Sequence, residues 1–384
     1  DILVACLGQL KSVLSFSHID ELRNLNQPVL SHFQKLSTQH QEYLNESVPT
    51  TSLSVGECQV EVQKTLGFNN RKAFAAYFTN NDGLAIMEAL VRYQRQQSSN
   101  KKYRICDPFM GGARTLTAAI KTLGKDNIVH VLGVEPFFLS AFVGFTAIAN
   151  ALEGDIDKIS VFVGDSFQVI PQILSPLWNG LQKAVDIILT NPPFTRWHYL
   201  SKNQRELVLR YVKNAQYSSY LTRKEAGLQI FSLFLCDQLL AKSGMIFAVL
   251  PLSTFYTIGG AGLKSLLQER YTLYALVESI ESAAFSEDSG FKEVILVAEK
   301  TTQNIFTLFT KSTMDPNNLG KHVFNRNEKS PSGKYYDIKA LPEYLNNNWL
   351  ALFEENEIES LINTEIQKGI EANRIGIWKN IYGS

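Results

Sequence analysis

The chain has 384 residues, of which 45% are hydrophobic and 19% charged, so it can bury a large core and form two or three domains. Its 37 basic and 37 acidic residues give a formal net charge of zero, which excludes a global basic field for nucleic acid, so any such surface must be local. No apolar run approaches the roughly 20 residues of a membrane span, and no signal-peptide layout opens the chain. We therefore expect a cytoplasmic protein without membrane contact. Because the chain begins at Asp1 and ends at Ser384, we also expect further sequence at one end or both.

The four cysteines, Cys6, Cys58, Cys106 and Cys236, lack the CxxC spacing of zinc sites. The histidines form no cluster. We therefore expect buried free thiols, no disulfide framework and no metal site.

The pattern of apolar residues predicts three regions. Residues 1–70 have helical spacing throughout and predict a helical N-terminal region. From about residue 103, short apolar runs alternate with longer helical patterns, which predicts βαβ units and an α/β fold with a doubly wound, mostly parallel sheet. Residues 312–336 are rich in Asn, Pro, Ser, Gly and Lys and predict a linker, followed by the start of a separate C-terminal element that reaches residue 384.

Four predicted strands end in a polar residue: Asp107, Glu135, Asp165 and Asn191. The carboxyl ends of parallel strands meet at one edge of a sheet, where ligands bind. The glycine turn after Asp107 brings backbone close to a ligand, and the acid attracts a cation rather than a phosphate.

Glu135 is suited to accept hydrogen bonds from ribose hydroxyls. Asp165 is suited to an adenine amino group, with Phe167 stacking on the ring. A strand-ending acid is equally typical of a helix N-cap. Together, however, the three acids describe a nucleoside with a positive amino group, and S-adenosylmethionine fits that description.

Four motifs carry a resemblance to a known family: "DPFMGG" from Asp107, Glu135, "GDSF" ending at Phe167, and "NPPF" over residues 191–194. In this order and spacing they resemble the γ-class adenine-N6 DNA methyltransferases, which include type I modification subunits and fused type II restriction–modification enzymes. The resemblance covers residues 74 to about 300 and implies an S-adenosylmethionine-dependent methyltransferase domain over residues 71–311. It also implies DNA as a partner, together with a specificity or nuclease subunit or domain.

The resemblance extends to both sides of these motifs. Residues 74–91 are similar to the segment that contacts the methionine end of the cofactor, with asparagine at position 80 where proline is commoner. Residues 281–300 resemble a late hairpin that places an aromatic against the base, for which Phe285 is the first choice and Phe291 the second. Residues 365–378 resemble the opening of a target-recognition domain. The implied cofactor-binding residues are Tyr77, Phe78, Thr79, Asp107, Pro108, Gly111, Glu135, Asp165 and Phe167.

One departure lies in the glycine turn, where Ala113 replaces the second glycine of the usual Gly-x-Gly pattern. Its methyl group adds bulk where the backbone approaches the cofactor. We expect it to be accommodated only with a negative φ.

The "NPPF" motif suits methyl transfer to an exocyclic amine. The lone pair of such a nitrogen is delocalised into the ring, and two acceptors on its N–H groups draw it towards tetrahedral geometry; we assign these roles to the Asn191 side chain and the Pro192 carbonyl. Prolines stiffen the loop, and Phe194 would stack on a base flipped out of the duplex. Pro193, Arg196 and Trp197 are further predicted substrate contacts. His198 is interpreted as an ordinary polar loop residue.

Residues 196–224 combine seven basic side chains and five aromatic ones with a single acid, Glu206. This composition is typical of a nucleic-acid contact, although a solvated helix face would look similar. The basic residues are Arg196, Lys202, Arg205, Arg210, Lys213, Arg223 and Lys224, and the aromatic ones are Trp197, Tyr199, Tyr211, Tyr217 and Tyr220.

Other functions use the same tetrapeptide. RNA adenine or guanine amino-methyltransferases and protein-glutamine methyltransferases act on planar NH2 groups in the same way. A non-catalytic DNA-binding subunit that retains the fold is a third alternative, supported only by Ala113.

Overall fold

The computed structural model describes residues 2–15, 21–22, 25, 27–35, 53–65, 79–98, 102–174, 184–221, 226–282, 285–286, 292–325, 329–346 and 348–353. Within these residues one sheet of nine strands forms the centre of the molecule, in the order β3-β2-β1-β4-β5-β7-β6-β8-β9. The strands are β1 (Tyr103–Asp107), β2 (Ile128–Glu135), β3 (Ile159–Val163), β4 (Val185–Thr190), β5 (Leu240–Pro251), β6 (Thr272–Ser282), β7 (Lys292–Glu299), β8 (Thr307–Lys311) and β9 (Lys334–Tyr336).

The five strands from β3 to β5 are parallel, and β7 inserts antiparallel between β5 and β6. The order of the chain reverses between β1 and β4, so the carboxyl ends of these two strands form the switch point at which ligands bind in such sheets. The predicted doubly wound, mostly parallel α/β fold is confirmed.

Helices cover both faces of the sheet. They are α1 (Ile2–Leu14), α2 (Val55–Thr65), α3 (Asn81–Gln96), α4 (Arg114–Leu123), α5 (Phe138–Ala151), α6 (Ser166–Leu174), α7 (Lys202–Asn214), α8 (Leu228–Leu239), α9 (Ala261–Arg270), α10 (Pro316–Phe324) and α11 (Glu343–Asn346). Helices α1 through α5 pack on one face of the sheet and form the first hydrophobic core with it. Helices α6 through α9 pack on the opposite face and form the second core. Alternating strand side chains enter the two cores, because successive residues of a strand point to opposite faces.

The described parts of residues 1–70 are helical, and α1 and α2 pack on α5 within the first core. The four cysteines are buried free thiols, as predicted. The division of the chain into three domains stays a prediction. Within the described residues, none of the helices is both long enough and apolar enough to cross a membrane.

The interpretation of residues 312–336 as a linker is wrong for their described part. Asp315 caps α10 by accepting hydrogen bonds from two backbone N–H groups, and Pro316 occupies the first turn, where its missing N–H costs nothing. The helix packs on α3, and β9 extends the sheet beyond β8. Loop-like composition here reflects a cap and tight turns between short elements.

Candidate functional site

A cavity of about 260 Å³ opens at the carboxyl ends of β1 to β4. All three predicted acids, Asp107, Glu135 and Asp165, line it together with Asn191. The structure therefore brings together the four strand-end residues that the sequence singled out. Other lining residues are Gln63, Thr79, Phe109, Met110, Gly111, Gly112, Arg114, Thr115, Pro136, Phe137, Ser166, Phe167, Pro193, Leu200, Gln204, Val208 and Leu228.

Asp107 is buried at the end of β1 and holds the start of the glycine turn. Its carboxylate accepts a hydrogen bond from the Phe109 backbone N–H at 3.0 Å and one from the Thr115 hydroxyl at 2.7 Å. Burial raises the pKa of Asp107 to about 6, against the effect of these hydrogen bonds. The cavity therefore offers a carboxyl group that a cationic ligand would ionise fully.

Ala113 differs from the sequence-based expectation. Its φ is 62° and its ψ is 31°, so the residue occupies the left-handed region and not the negative-φ region that we expected. Gly111, two residues earlier, also has a positive φ, of 51°. The Ala113 methyl group is buried in the first core, and packing there offsets part of the roughly 1–2 kcal/mol that this conformation costs.

Glu135 is buried at the end of β2, and its carboxylate accepts hydrogen bonds from two backbone segments. One carboxylate oxygen accepts from the Gly111 N–H at 3.1 Å, and the other accepts from the Phe137 N–H at 3.0 Å. Burial raises the pKa of Glu135 to about 7, and the negative charge of Asp107 acts in the same direction.

Asp165, after β3, caps the start of α6 by accepting from the Phe167 N–H at 2.8 Å. Burial raises its pKa. The Phe167 ring is 5% exposed, lines the cavity and meets the Tyr211 ring edge-on at 5.5 Å between centroids. The Ser166 hydroxyl donates to the Pro108 carbonyl, which connects the start of α6 to the glycine turn. Pro108 itself is buried and is not among the lining residues.

The segment that precedes α3 closes one side of the cavity at Thr79. Arg114, in the first turn of α4, donates to the Thr79 carbonyl at 2.9 Å and to the Asn81 side chain at 2.5 Å. Asn80, which stands where proline is commoner in the family, caps α3 by accepting from the Gly83 N–H at 2.9 Å. The predicted cofactor residues Tyr77 and Phe78 lie outside the described residues.

Asn191 follows β4 and is held at its amide nitrogen, which donates to the Ser286 hydroxyl at 2.9 Å. Glu293, buried in β7, accepts from the backbone N–H groups of Phe285 and Ser286 at 2.8 and 3.0 Å. Among the described residues no donor reaches the side-chain oxygen of Asn191, although this oxygen is buried. The cavity thus contains an oriented amide oxygen with unused acceptor capacity.

Several predicted substrate contacts do not line the cavity. Phe194 is 3% exposed and Phe285 is 1% exposed, and both pack in the first core. Trp197 packs on Phe231 with 5.5 Å between ring centroids, whereas Arg196 is exposed outside the cavity. Pro193 lines it and Pro192 is buried beside it. Phe291, the second choice for the base-facing aromatic, lies outside the described residues.

The basic segment after the motif is only partly an exposed surface. Lys202, Arg210 and Lys213 are exposed on α7, and Arg205 is half-buried. Two of the predicted aromatic contacts face inward: Tyr211 packs on Phe167, and the Tyr217 hydroxyl donates to the buried Asp237 at 2.6 Å. Arg223 and Lys224 lie outside the described residues.

Sequence reasoning missed Gln63 and Ser286. Gln63 lines the cavity from α2, and Ser286 holds Asn191. Neither belongs to a recognisable motif, and the nearest signal for Gln63 is its spacing of four residues from Gln59 on the same helix. Among the described residues, no three His, Cys, Asp or Glu side chains come together as metal ligands would.

The sequence matches no protein-family model and no curated protein sequence. Solved structures do match. A protein from Listeria monocytogenes assigned to the class I S-adenosylmethionine-dependent methyltransferases is 17% identical, with a TM-score of 0.55 over 84% of this chain and 99% of that one. A modification subunit assigned to a type I restriction enzyme of Vibrio vulnificus is 13% identical, with a TM-score of 0.55 over 87% and 73%.

The DrdV–DNA complex is similar over 93% of this chain and 41% of that one, with a TM-score of 0.61 and 12% identity. This chain therefore spans less than half of that larger protein. At such identities the likeness establishes the fold. The chain has the fold of S-adenosylmethionine-dependent methyltransferases.

Proposed function

We propose that this chain transfers the methyl group of S-adenosylmethionine to the exocyclic N6 of a flipped-out adenine in DNA, as the γ-class methylase of a restriction–modification system. The observation that carries the proposal is the buried side-chain oxygen of Asn191, which has no hydrogen-bond partner among the described residues and lies at the edge of a cavity lined by three carboxyl groups. An acceptor placed there suits an N–H group of a substrate amine.

The residues present fit the cofactor. Buried Asp107 favours a positive amino group, Glu135 can accept from ribose hydroxyls, and Asp165 with Phe167 can hold an adenine ring. When bound, S-adenosylmethionine supplies a methyl group activated by a positive sulfonium. Tyr77, Phe78 and Thr79 are the further residues that we assign to this end of the site.

At the acceptor end, the Asn191 side-chain oxygen and the Pro192 carbonyl would accept hydrogen bonds from the two N–H groups of the amine. These hydrogen bonds would free the nitrogen lone pair for attack. The Ser286 hydroxyl accepts a hydrogen bond from the Asn191 amide nitrogen. This contact fixes the orientation of the amide, so that its oxygen faces the cavity. This preorganisation lowers the cost of aligning the acceptor. The reaction so described needs no proton acceptor before attack.

Base stacking by Phe194 and Phe285 requires a rearrangement, since both rings are buried. The exposed basic residues of α7 are the proposed backbone contact, with the DNA-bound structural neighbour as further support. A specificity or nuclease subunit or domain would complete the system. In the proposed system, sequence specificity lies with that partner or with a target-recognition domain.

The experiment supplies labelled S-adenosylmethionine with unmethylated DNA, RNA and protein in separate reactions. We expect label in DNA alone. Label confined to RNA or to protein glutamine would overturn the proposal in favour of those alternatives. Cofactor binding without transfer to any acceptor would favour a non-catalytic subunit.

A further inference from the structure

Gln63 is a buried amide without a described function. It lies on α2, is 1% exposed and lines the cavity. Within the described part of the chain, neither its side-chain oxygen nor its nitrogen has a hydrogen-bond partner. A buried amide that lacks hydrogen-bond partners is costly to leave unsatisfied, so such a side chain in a cavity wall points to a polar ligand group.

The position of α2 shows which part of a ligand Gln63 would meet. One turn earlier on the same helix, the Gln59 side chain donates to the Gly112 carbonyl at 2.7 Å, so α2 lies directly against the glycine turn. A Cβ on Gly112 would stand 3.6 Å from Val62, in ordinary contact. Gln63 therefore enters the cavity from the side of the β1–α4 turn, whereas Asp165 enters it from the end of β3, two strands away.

The chemistry of a carboxamide matches one part of the proposed cofactor. A single glutamine side chain donates two N–H groups and accepts at its oxygen, so it can bind a carboxylate and an ammonium group together. An α-amino acid presents these two groups on one carbon. Arg114, fixed on Thr79 and Asn81, lines the same cavity and supplies positive charge for the carboxylate.

We propose that Gln63 clamps the amino-acid end of S-adenosylmethionine, with its amide nitrogen donating to the carboxylate and its oxygen accepting from the ammonium group. This inference rests on the proposed function, because it assumes that cofactor. It adds to the site a residue from the N-terminal helices, which thereby become part of the binding surface.

Calorimetry with two ligands tests the assignment. S-adenosylhomocysteine has the amino-acid end, whereas 5′-methylthioadenosine has the same nucleoside and thioether without it. We expect Gln63→Leu to weaken S-adenosylhomocysteine binding about 10- to 100-fold, as loss of hydrogen bonds to charged groups does, and to change 5′-methylthioadenosine binding less than twofold. Gln63→Asn keeps the amide nitrogen and oxygen on a side chain one carbon shorter, and it should weaken binding of S-adenosylhomocysteine only.

Gln59→Leu is the matched control, because Gln59 acts through the glycine turn and should affect both ligands alike. Equal weakening of both ligands by Gln63→Leu, or no weakening of either, would overturn the assignment while the proposed cofactor stands. Failure of the unaltered protein to bind S-adenosylhomocysteine would overturn the proposed function and this inference with it. Since leucine replaces an amide that has no hydrogen-bond partner among the described residues, the melting temperature of the variant should not fall, and a large fall would contradict the assignment of this amide to a ligand.

Discussion

The two ends of the cavity satisfy their polar groups differently. At the cofactor end, Asp107, Glu135 and Asp165 all accept backbone N–H bonds and so hold the glycine turn and two helix starts. At the acceptor end, the Asn191 oxygen accepts nothing within the described residues. In the proposed function, the acids therefore serve folding as well as binding, whereas the amide oxygen serves only a ligand. Substitutions at the two ends should separate stability from turnover.

Asn191→Ala should have the largest effect on activity. Loss of an acceptor that acts on the reacting amine should reduce kcat about 100- to 1,000-fold, by analogy with the removal of one preorganised polar group from other active sites. S-adenosylhomocysteine affinity should change less than threefold in calorimetry, and the melting temperature should fall only slightly, through loss of the buried hydrogen bond to Ser286. A variant that keeps a tenth of the turnover would contradict the assigned role.

Glu135→Ala should show the opposite pattern. Two backbone N–H groups, on Gly111 and Phe137, lose their acceptor, so the free energy of unfolding should fall by about 2 kcal/mol or more together with cofactor affinity. Chemical denaturation checks the first effect and calorimetry the second. Lost affinity with full stability would show that the carboxylate does not brace the turns.

Cofactor affinity should depend on pH through the same carboxyl group. The pKa of Glu135 is raised to about 7, and ribose hydroxyls donate to its ionised form, so affinity should be constant above about pH 8 and fall up to tenfold per pH unit below about pH 7. Glu135→Gln should flatten the decline in cofactor affinity between pH 7 and 6. The decline that protonation of Asp107 causes near pH 6 should remain. An unchanged profile in Glu135→Gln would refute this origin.

The pH dependence of folding stability has the opposite sign to that of cofactor affinity. Without ligand, the folded state holds a proton on Glu135 that the unfolded state releases near the ordinary pKa of 4.5. Its contribution to stability is therefore complete below that value and is lost as the pH rises through about 7. Saturating ligand should restore part of the stability that is lost as the pH rises. Melting curves recorded with and without ligand across this pH range check this expectation.

Ser286→Ala should have a smaller effect on catalysis than Asn191→Ala. Without the hydroxyl, the Asn191 amide can turn, and one hydrogen bond is worth roughly a tenfold change, so kcat should fall about 5- to 10-fold at constant cofactor affinity. Ser279→Ala is the matched control, because that buried hydroxyl accepts from the Glu293 N–H at 2.8 Å and does not touch Asn191. Equal losses of kcat in both variants would argue against positioning by Ser286.

Ala113→Gly should have the smallest effect. Glycine relieves the left-handed strain, but it also raises the entropy of the unfolded chain and removes a buried methyl group, so the free energy of unfolding should change by less than about 1 kcal/mol. Chemical denaturation measures it. A loss above 2 kcal/mol would mean that the methyl packing dominates.

The strand ends could be predicted because both the sheet and its ligand edge follow from local patterns. Apolar runs mark the strands, and the residue after each run must lie at one edge. Asp107, Glu135, Asp165 and Asn191 accordingly meet in one cavity. The order of the nine strands, with β7 antiparallel between β5 and β6, was not predicted and came from the structure.

The remaining differences arise from contacts distant in sequence. Ser286 reaches Asn191 across 95 residues, and Gln63 reaches the cavity only because α2 packs on Gly112. The positive φ of Ala113 depends on the tertiary packing of its methyl group in the first core, which composition does not report. Tyr211 and Tyr217 look like contact residues in sequence, but they are held inward by Phe167 and Asp237.

Nucleoside analysis of DNA after incubation with this protein and labelled S-adenosylmethionine tests the proposed methyl transfer directly. The two-ended cavity predicts label in N6-methyldeoxyadenosine, and a loss of at least 100-fold with Asn191→Ala. Label in methylcytosine would rule out transfer to adenine N6, and label in adenine that persists with Asn191→Ala would rule out the acceptor role of Asn191.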